Sequence, residues 1–201
     1  FRQVDPIQRG RLSQALSISS ATASLLLNRG VTNVDQALAW MSPLQAHDPF
    51  LIPDIERAVD RLHQAMQRRE RVCFYGDYDV DGMSATSVYV SFFRDLGAHI
   101  RAYVPHRLRE GYGLNEPAIR ALAQDGITLL VTSDCGTTSH REIALASQLG
   151  IDVIVTDHHQ SDLEMVPALA VMNPHRPDAQ YPFRGLCSGG LAYKVVQAYE
   201  Q

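Results

Sequence analysis

Val72-Cys73-Phe74-Tyr75-Gly76-Asp77-Tyr78-Asp79-Val80-Asp81-Gly82 runs from an apolar segment into three carboxylates at alternate positions. A strand points alternate side chains to one face. A backbone that stays extended past Tyr75 would therefore bring Asp77, Asp79 and Asp81 together on one side. Three anions that close repel each other and raise one another's pKa, so they call for a compensating cation. Oxygen ligands suit a hard divalent ion, magnesium or manganese. The plain alternative is an acidic turn after a strand, because Asp and Gly are turn residues. An EF-hand loop also begins D-x-D-x-D-G. Its twelfth position falls here on Val88 instead of a bidentate Glu, and an aromatic and β-branched run stands where its first helix belongs.

From residue 71 onward, strands and helices alternate. Val72 to Tyr75 reads as a strand; Ala85 to Leu96 gives helical spacing that stops at Gly97. Ile100, Ala102 and Val104 alternate with Arg101 and Tyr103 as in a half-exposed strand. Asn115 caps a helix with Pro117 in its first turn, ending at Gly126. Ile127 to Val131 and Ile151 to Val155 are apolar strands, and Leu169 to Met172 is one more. Ser139 to Leu149 and Gly190 to Tyr199 are helices. Continuous apolar strands alternating with helices predict an α/β fold, a parallel β-sheet flanked by helices on both faces.

Residues 1–70 read as a helical amino-terminal segment packing on that core. A helix spans Ala15 to Leu27, closed by Asn28-Arg29-Gly30, and a short one runs from Ala37 to Met41 behind Thr32-Asn33. Pro43 to Pro53 is a loop. Asp54 to Arg69 is amphipathic, with Ile55, Ala58, Val59, Leu62, Ala65 and Met66 at helical spacing. These residues carry no chemical motif, and Arg68, Arg69 and Arg71 are assigned to a solvated face.

The 201 residues are 45% hydrophobic and 20% charged, with a formal net charge of −4. This is a globular composition, and the acidic balance does not by itself mark a nucleic-acid binder. No apolar run is long enough to span a bilayer and no signal-peptide pattern opens the chain. Cys73, Cys135 and Cys187 lack disulfide or metal spacing. A cytoplasmic, monomeric protein away from membranes is expected.

In an open α/β sheet, ligands bind at the carboxyl ends of the strands. That rule gathers Asp77, Asp79 and Asp81 with Asp134, which follows Thr132-Ser133, and with Asp157-His158-His159, which follows Thr156. Two divalent ions about 3.5–4 Å apart hydrolyse phosphoesters in such sites, and Asp134, on a central strand, is the expected bridge. Carboxylates with one imidazole favour manganese or magnesium over zinc; Cys135 is read as packing. Arg107, Arg109 and Tyr112, in Pro105-His106-Arg107-Leu108-Arg109-Glu110-Gly111-Tyr112-Gly113, are candidate substrate contacts, the arginines for phosphate and the tyrosine for a base. Amides of Gly136-Thr137-Thr138-Ser139 and Ser188-Gly189-Gly190, each opening a helix, are candidate anion sites.

Asp157-His158-His159 is the signature triplet of the DHH phosphoesterases. GDYDVDG, PHRLREGYGLN, SDCGTTS and TDHH, in this order, resemble the RecJ branch, single-strand-specific 5′→3′ DNA exonucleases of DNA repair and recombination. The match runs from about Asn28 to the end of the chain. The resemblance implies two manganese or magnesium ions held by Asp77, Asp79, Asp81, Asp134 and His158. It implies a catalytic role for Asp134, His158 and His159, with His159 facing phosphate and Asp157 buttressing the histidines from behind. It implies single-stranded DNA as substrate and DNA-repair proteins as partners. Residues 71–201 then form the DHH phosphoesterase domain, ending before the family's fourth-motif aspartate. An excised amino-terminal portion with little nuclease activity of its own is expected. Two other readings stay open: another DHH phosphoesterase, acting on pyrophosphate, a cyclic dinucleotide or a short oligonucleotide, or a non-catalytic DNA-binding module of this fold.

Overall fold

The computed structural model describes residues 3–41, 47–161 and 164–201. The chain divides into two compact units, Phe1–Ala46 and His47–Gln201. The first contains α1 (Pro6–Leu16), α2 (Ser20–Asn28) and α3 (Val34–Met41) around Leu12, Ala23, Leu26, Val31 and Ala37. The single helix expected from Ala15 to Leu27 is thus two. Asp5 accepts the Ile7 amide and Pro6 opens α1, which ends where Ser17 turns left-handed at φ 54°. Ser19 then accepts the Thr22 amide and restarts the helix as α2. Of the loop expected at Pro43 to Pro53, residues 43–46 lie outside the described residues, and Pro49–Leu51 forms a single 3-10 turn.

The second unit carries β1 (Arg71–Gly76), β2 (His99–Tyr103), β3 (Ile127–Ser133), β4 (Asp152–Thr156) and β5 (Ala170–Met172). All pairings are parallel, in the order β2-β1-β3-β4-β5. Helices α4 (Ile55–Gln67), α5 (Val80–Asp95) and α8 (Ser188–Tyr199) cover one face; α6 (Glu116–Gln124) and α7 (His140–Gln148) cover the other. The period of two sorts each strand between two cores. Val72, Phe74, Leu129, Val131, Ile154 and Met172 face the first set of helices, while Cys73, Tyr75, Leu130, Val153, Val155 and Val171 face the second. Burial on both faces is why these strands read as unbroken apolar runs.

The change of pattern at residue 71 marks the first strand, whereas the division into units falls after Ala46. The reason is α4, whose stripe of Ile55, Ala58, Val59, Leu62 and Ala65 lies in the same core as β1 and β3. Arg61 on its flank pairs with Glu70 and Asp152, both at 2.7 Å. The order of strands also fixes where a ligand can sit. The chain leaves β1 for β2 on one side and returns to β3 on the other, so a crevice opens between the carboxyl ends of β1 and β3.

Candidate metal centre

Three strand ends are tied together by one further rung of the parallel ladder each. The Asp77 amide, after β1, donates to Ser133 O at 3.0 Å; Asp134, after β3, donates to Thr156 O at 3.0 Å; Asp157, after β4, donates to Met172 O at 3.1 Å. Three acids thereby stand in a row along one sheet edge, all buried. Asp134 turns out of its strand at φ 66°, a left-handed conformation that non-glycine residues adopt mainly under outside constraint.

Asp79 and Asp81 join them by helix formation, not by an extended backbone. The strand stops at Gly76, and α5 starts at Val80, five residues before the expected Ala85. Asp79 caps it, accepting the amides of Asp81 at 2.9 Å and Gly82 at 3.0 Å. Asp81, in the first turn, accepts the Ser188 and Gly189 amides of α8 at 2.9 and 3.0 Å. Gly82 makes the tight approach possible, since a Cβ there would lie 2.6 Å from the Asp77 amide nitrogen.

Two groups of ligand atoms result, each within 4.8 Å of one another: Asp77, Asp79 and Asp134, and Asp134, His158 and His159. Asp134 belongs to both. His158 Nε2 lies 3.1 Å from Asp134 Oδ1 and 3.3 Å from Asp81 Oδ2, which brings Asp81 to the second group. Burial pushes the Asp134 carboxyl up to about 6, against the Ser188 hydrogen bond, and the charges of Asp81 and Asp79 add to the rise. Burial and the charge of Asp79 also raise Asp77, while the Gly82 amide holds Asp79 below the usual carboxylate range. Asp77 Oδ1 is buried without a hydrogen-bond partner.

Asp157 belongs to neither ligand group. Its Oδ1 accepts His159 Nδ1 at 2.7 Å and the His158 amide at 2.8 Å, and its Oδ2 accepts the Thr137 amide at 3.0 Å. Burial works to raise its pKa, but hydrogen bonds from Thr137 and His159 keep it lowered. Burial lowers the His159 pKa, and Asp157 more than compensates, so the imidazole holds its proton more firmly than usual. Both candidate anion sites at helix starts are filled by the protein's own carboxylates: Thr137 N by Asp157, Ser188 N and Gly189 N by Asp81.

In the loop after β2, Tyr112 reaches the site. Its hydroxyl donates to Asp134 O at 3.0 Å and lies 3.4 Å from His159 Nδ1. The Arg107 guanidinium sits over the Tyr78 ring at 5.1 Å. Arg109 is exposed, and its backbone amide bonds His106 O at 2.9 Å. Glu110 pins the loop, accepting the His106 amide at 2.7 Å and the Tyr103 hydroxyl. Cys135 is packed at 1% exposure, and burial raises its thiol pKa well above the usual value.

Two contributors were not singled out from sequence as side chains. Ser188 Oγ donates to Asp134 Oδ1 at 2.9 Å. Asn173, the first residue after β5, donates to His159 O at 2.9 Å and Thr137 Oγ1 at 3.0 Å. The strand-end rule that found Asp134 and Asp157 would also have pointed to Asn173.

The sequence profile of the DHH family, N-terminal domain, matches residues 71–201. The chain belongs to the DHH family. The chain is 38% identical over 189 residues to the single-stranded-DNA-specific exonuclease RecJ of Bacillus subtilis (strain 168), covering 93% of this chain and 24% of that protein. It thus spans about a quarter of that relative's length. A crystal structure of exonuclease RecJ bound to manganese matches 74% of this chain and 38% of its own, with a TM-score of 0.68 at 31% identity. RecJ in complex with manganese from Thermus thermophilus shares the DHH fold over 100% of this chain and 28% of its own, with a TM-score of 0.73 at 24% identity. Among the described residues, no helix is long and apolar enough to cross a membrane.

Proposed function

We propose that this chain is the metal-binding catalytic domain of a single-stranded-DNA exonuclease that works from the 5′ end. The observation that carries this reading is Asp134, shared by two convergent ligand groups at the carboxyl edge of the sheet. The residues fit a pair of hard divalent ions. Buried Asp77 Oδ1 has no hydrogen-bond partner, the ligand atoms are carboxylate oxygens with imidazole, and the Asp134 carboxyl is pushed up to about 6 by burial and neighbouring negative charge. Asp77, Asp79 and Asp134 would hold one manganese or magnesium ion, and Asp81, Asp134 and His158 the other. When bound, such a pair supplies an activated water and stabilises a leaving oxygen.

The chain's own residues do the rest. Ser188 orients the shared carboxylate, and Asp157 with Asn173 fixes His159, whose raised pKa suits it to meet a phosphate oxygen as a donor. Arg107, extended over Tyr78 at the rim, is placed to bind backbone phosphate, with Arg109 on the same exposed loop. The DNA-specific reading and the 5′ polarity rest on the resemblance to RecJ proteins. So does a place in DNA repair and recombination beside other repair proteins, while action in the cytoplasm as a monomer is the reading of composition and cysteine usage. The three free cysteines suit a reducing compartment. Asp79→Ala and Asp134→Ala in the full-length protein are expected to reduce manganese-dependent hydrolysis of labelled single-stranded DNA to background with the fold intact. Near-normal turnover by either variant would sink the reading.

A further inference from the structure

A cavity of about 450 Å³ lies beside the metal centre, lined by Tyr112, Gly113, Gly136 to Ser139, Glu142, Asp157 and His159. Its size falls in the range of small-molecule sites. Two of its walls also border the metal ligands: Tyr112 Oη lies 3.0 Å from Asp134 O, and His159 Nδ1 lies 4.0 Å from Asp134 Oδ1. A group in the cavity is therefore a direct neighbour of anything held at Asp134.

The lining selects the chemistry of that group. Glu142 is a half-buried carboxylate, and Asp157 also lines the cavity with both oxygens already bonded to Thr137, His158 and His159. The amide of Thr137, the obvious anion donor of the loop, is spent on Asp157. A phosphate would meet net negative charge here. Hydroxyl and amino donors would instead meet acceptors, in Glu142 and in the hydroxyls of Thr138 and Ser139. Tyr112 and His159, 80° apart with centroids at 6.0 Å, form an aromatic corner on which a base can stack.

We propose that this cavity takes one nucleoside, the one adjoining the phosphate held at the metals. The assignment rests on the nuclease reading and adds a subsite to it. The cavity divides a nucleotide by charge: phosphate goes to the cations, while sugar and base go to the acceptor-lined aromatic recess. Thr138 is exposed and lies on the wall, so Thr138→Trp fills the recess without replacing a residue of either ligand group.

The test uses deoxyadenosine, deoxyadenosine 5′-monophosphate and deoxyribose 5-phosphate, each titrated into the chain with magnesium and followed by backbone-amide NMR. Deoxyadenosine alone is expected to shift the amides of Gly113, Thr138 and Glu142 even without metal. With magnesium, the nucleotide should bind about tenfold more tightly than deoxyribose 5-phosphate, a modest return for one stacked base. Thr138→Trp should erase that tenfold, so that the nucleotide and deoxyribose 5-phosphate bind alike. Equal binding of the two phosphates by the wild type, or a tenfold that survives Thr138→Trp, would overturn the subsite and leave the nuclease reading standing. Failure of magnesium to bind would strike the nuclease reading instead, with deoxyadenosine still reporting on the cavity.

Discussion

Asp134 links both ligand groups, and its titration gives the site a pH dependence. Its carboxyl stands at about 6 in the metal-free chain because of burial and the charges of Asp81 and Asp79. Between an ordinary value of about 3.9 and that raised value, the native state holds a proton that the unfolded state has released, so Asp134's contribution to stability falls as pH rises through this window. A bound cation favours the ionised form and reverses the sign. Manganese affinity is therefore expected to drop about tenfold between about pH 7.5 and about pH 5 as protons compete for the carboxylate; calorimetry giving one affinity at both would contradict this. Asp134→Asn keeps the shape and removes the charge. It should raise the metal-free Tm near neutral pH and lose the manganese-induced stabilisation, about 2.7 kcal/mol at a hundredfold excess over Kd. At the rim, Arg107→Ala should weaken single-strand binding and reduce the slope of log affinity against log salt by about 0.7, the share of one phosphate contact. An unchanged slope would make the Arg107–Tyr78 contact a packing feature only. The acids and histidines were legible because each group stands just past the end of a strand that the sequence shows as an apolar run. Ser188 and Asn173 were not, because a hydroxyl or amide that orients a ligand carries no spacing signature.

Elements were legible where the periodicity was strong and illegible where capping decided. Four of the five strands are apolar runs between turns and β2 alternates as a half-exposed strand, and the sequence shows all five. The start of α5 was hidden because D-x-D-x-D has the period of a strand, yet Asp79 is satisfied by capping a helix. The same ambiguity hid the break between α1 and α2, since Ser17-Ile18-Ser19 is compatible with a helix until Ser17 turns left-handed. The start of α5 also rests on Gly82, packed against the backbone of Asp77. Gly82→Ala forces its Cβ against main chain that has no free rotamer to yield. A destabilisation of about 1–3 kcal/mol is expected by denaturant titration, with a weaker manganese site as Asp77 shifts. A gain in stability from the better helix former would show that the contact relaxes. At α8, Ser188→Ala removes the bond to Asp134 and keeps the backbone amides on Asp81. A loss of about 10–100-fold in manganese affinity or activity is expected, as for other residues that hold a metal ligand in place.

At the scale of the whole chain, the change of sequence pattern and the packing give different borders. The pattern changes at residue 71, where strands begin, but the compact unit starts at His47. Helix α4 explains the gap: Ile55, Val59 and Leu62 are buried with Phe74, Leu129 and Val131. Asp54, just before it, accepts Arg176 at 2.6 Å and the Val171 amide at 3.1 Å. Burying three such aliphatic side chains contributes about 1.5–3 kcal/mol each, a sum comparable with the whole stability of many domains, about 5–15 kcal/mol. Removing residues 47–70 would also take Asp54 away from the buried Arg176, a further cost. Two truncations separate the borders. A chain of residues 47–201 should unfold cooperatively and still bind manganese. A chain of residues 71–201, the stretch that the family's profile matches, should be unfolded or lose its cooperative transition, because α5 and α8 alone leave the part of the sheet face under α4 uncovered. Circular dichroism melts of the two proteins read the difference directly. Cooperative melting of residues 71–201 at an unchanged Tm would show that α4 adds nothing to the core it lines.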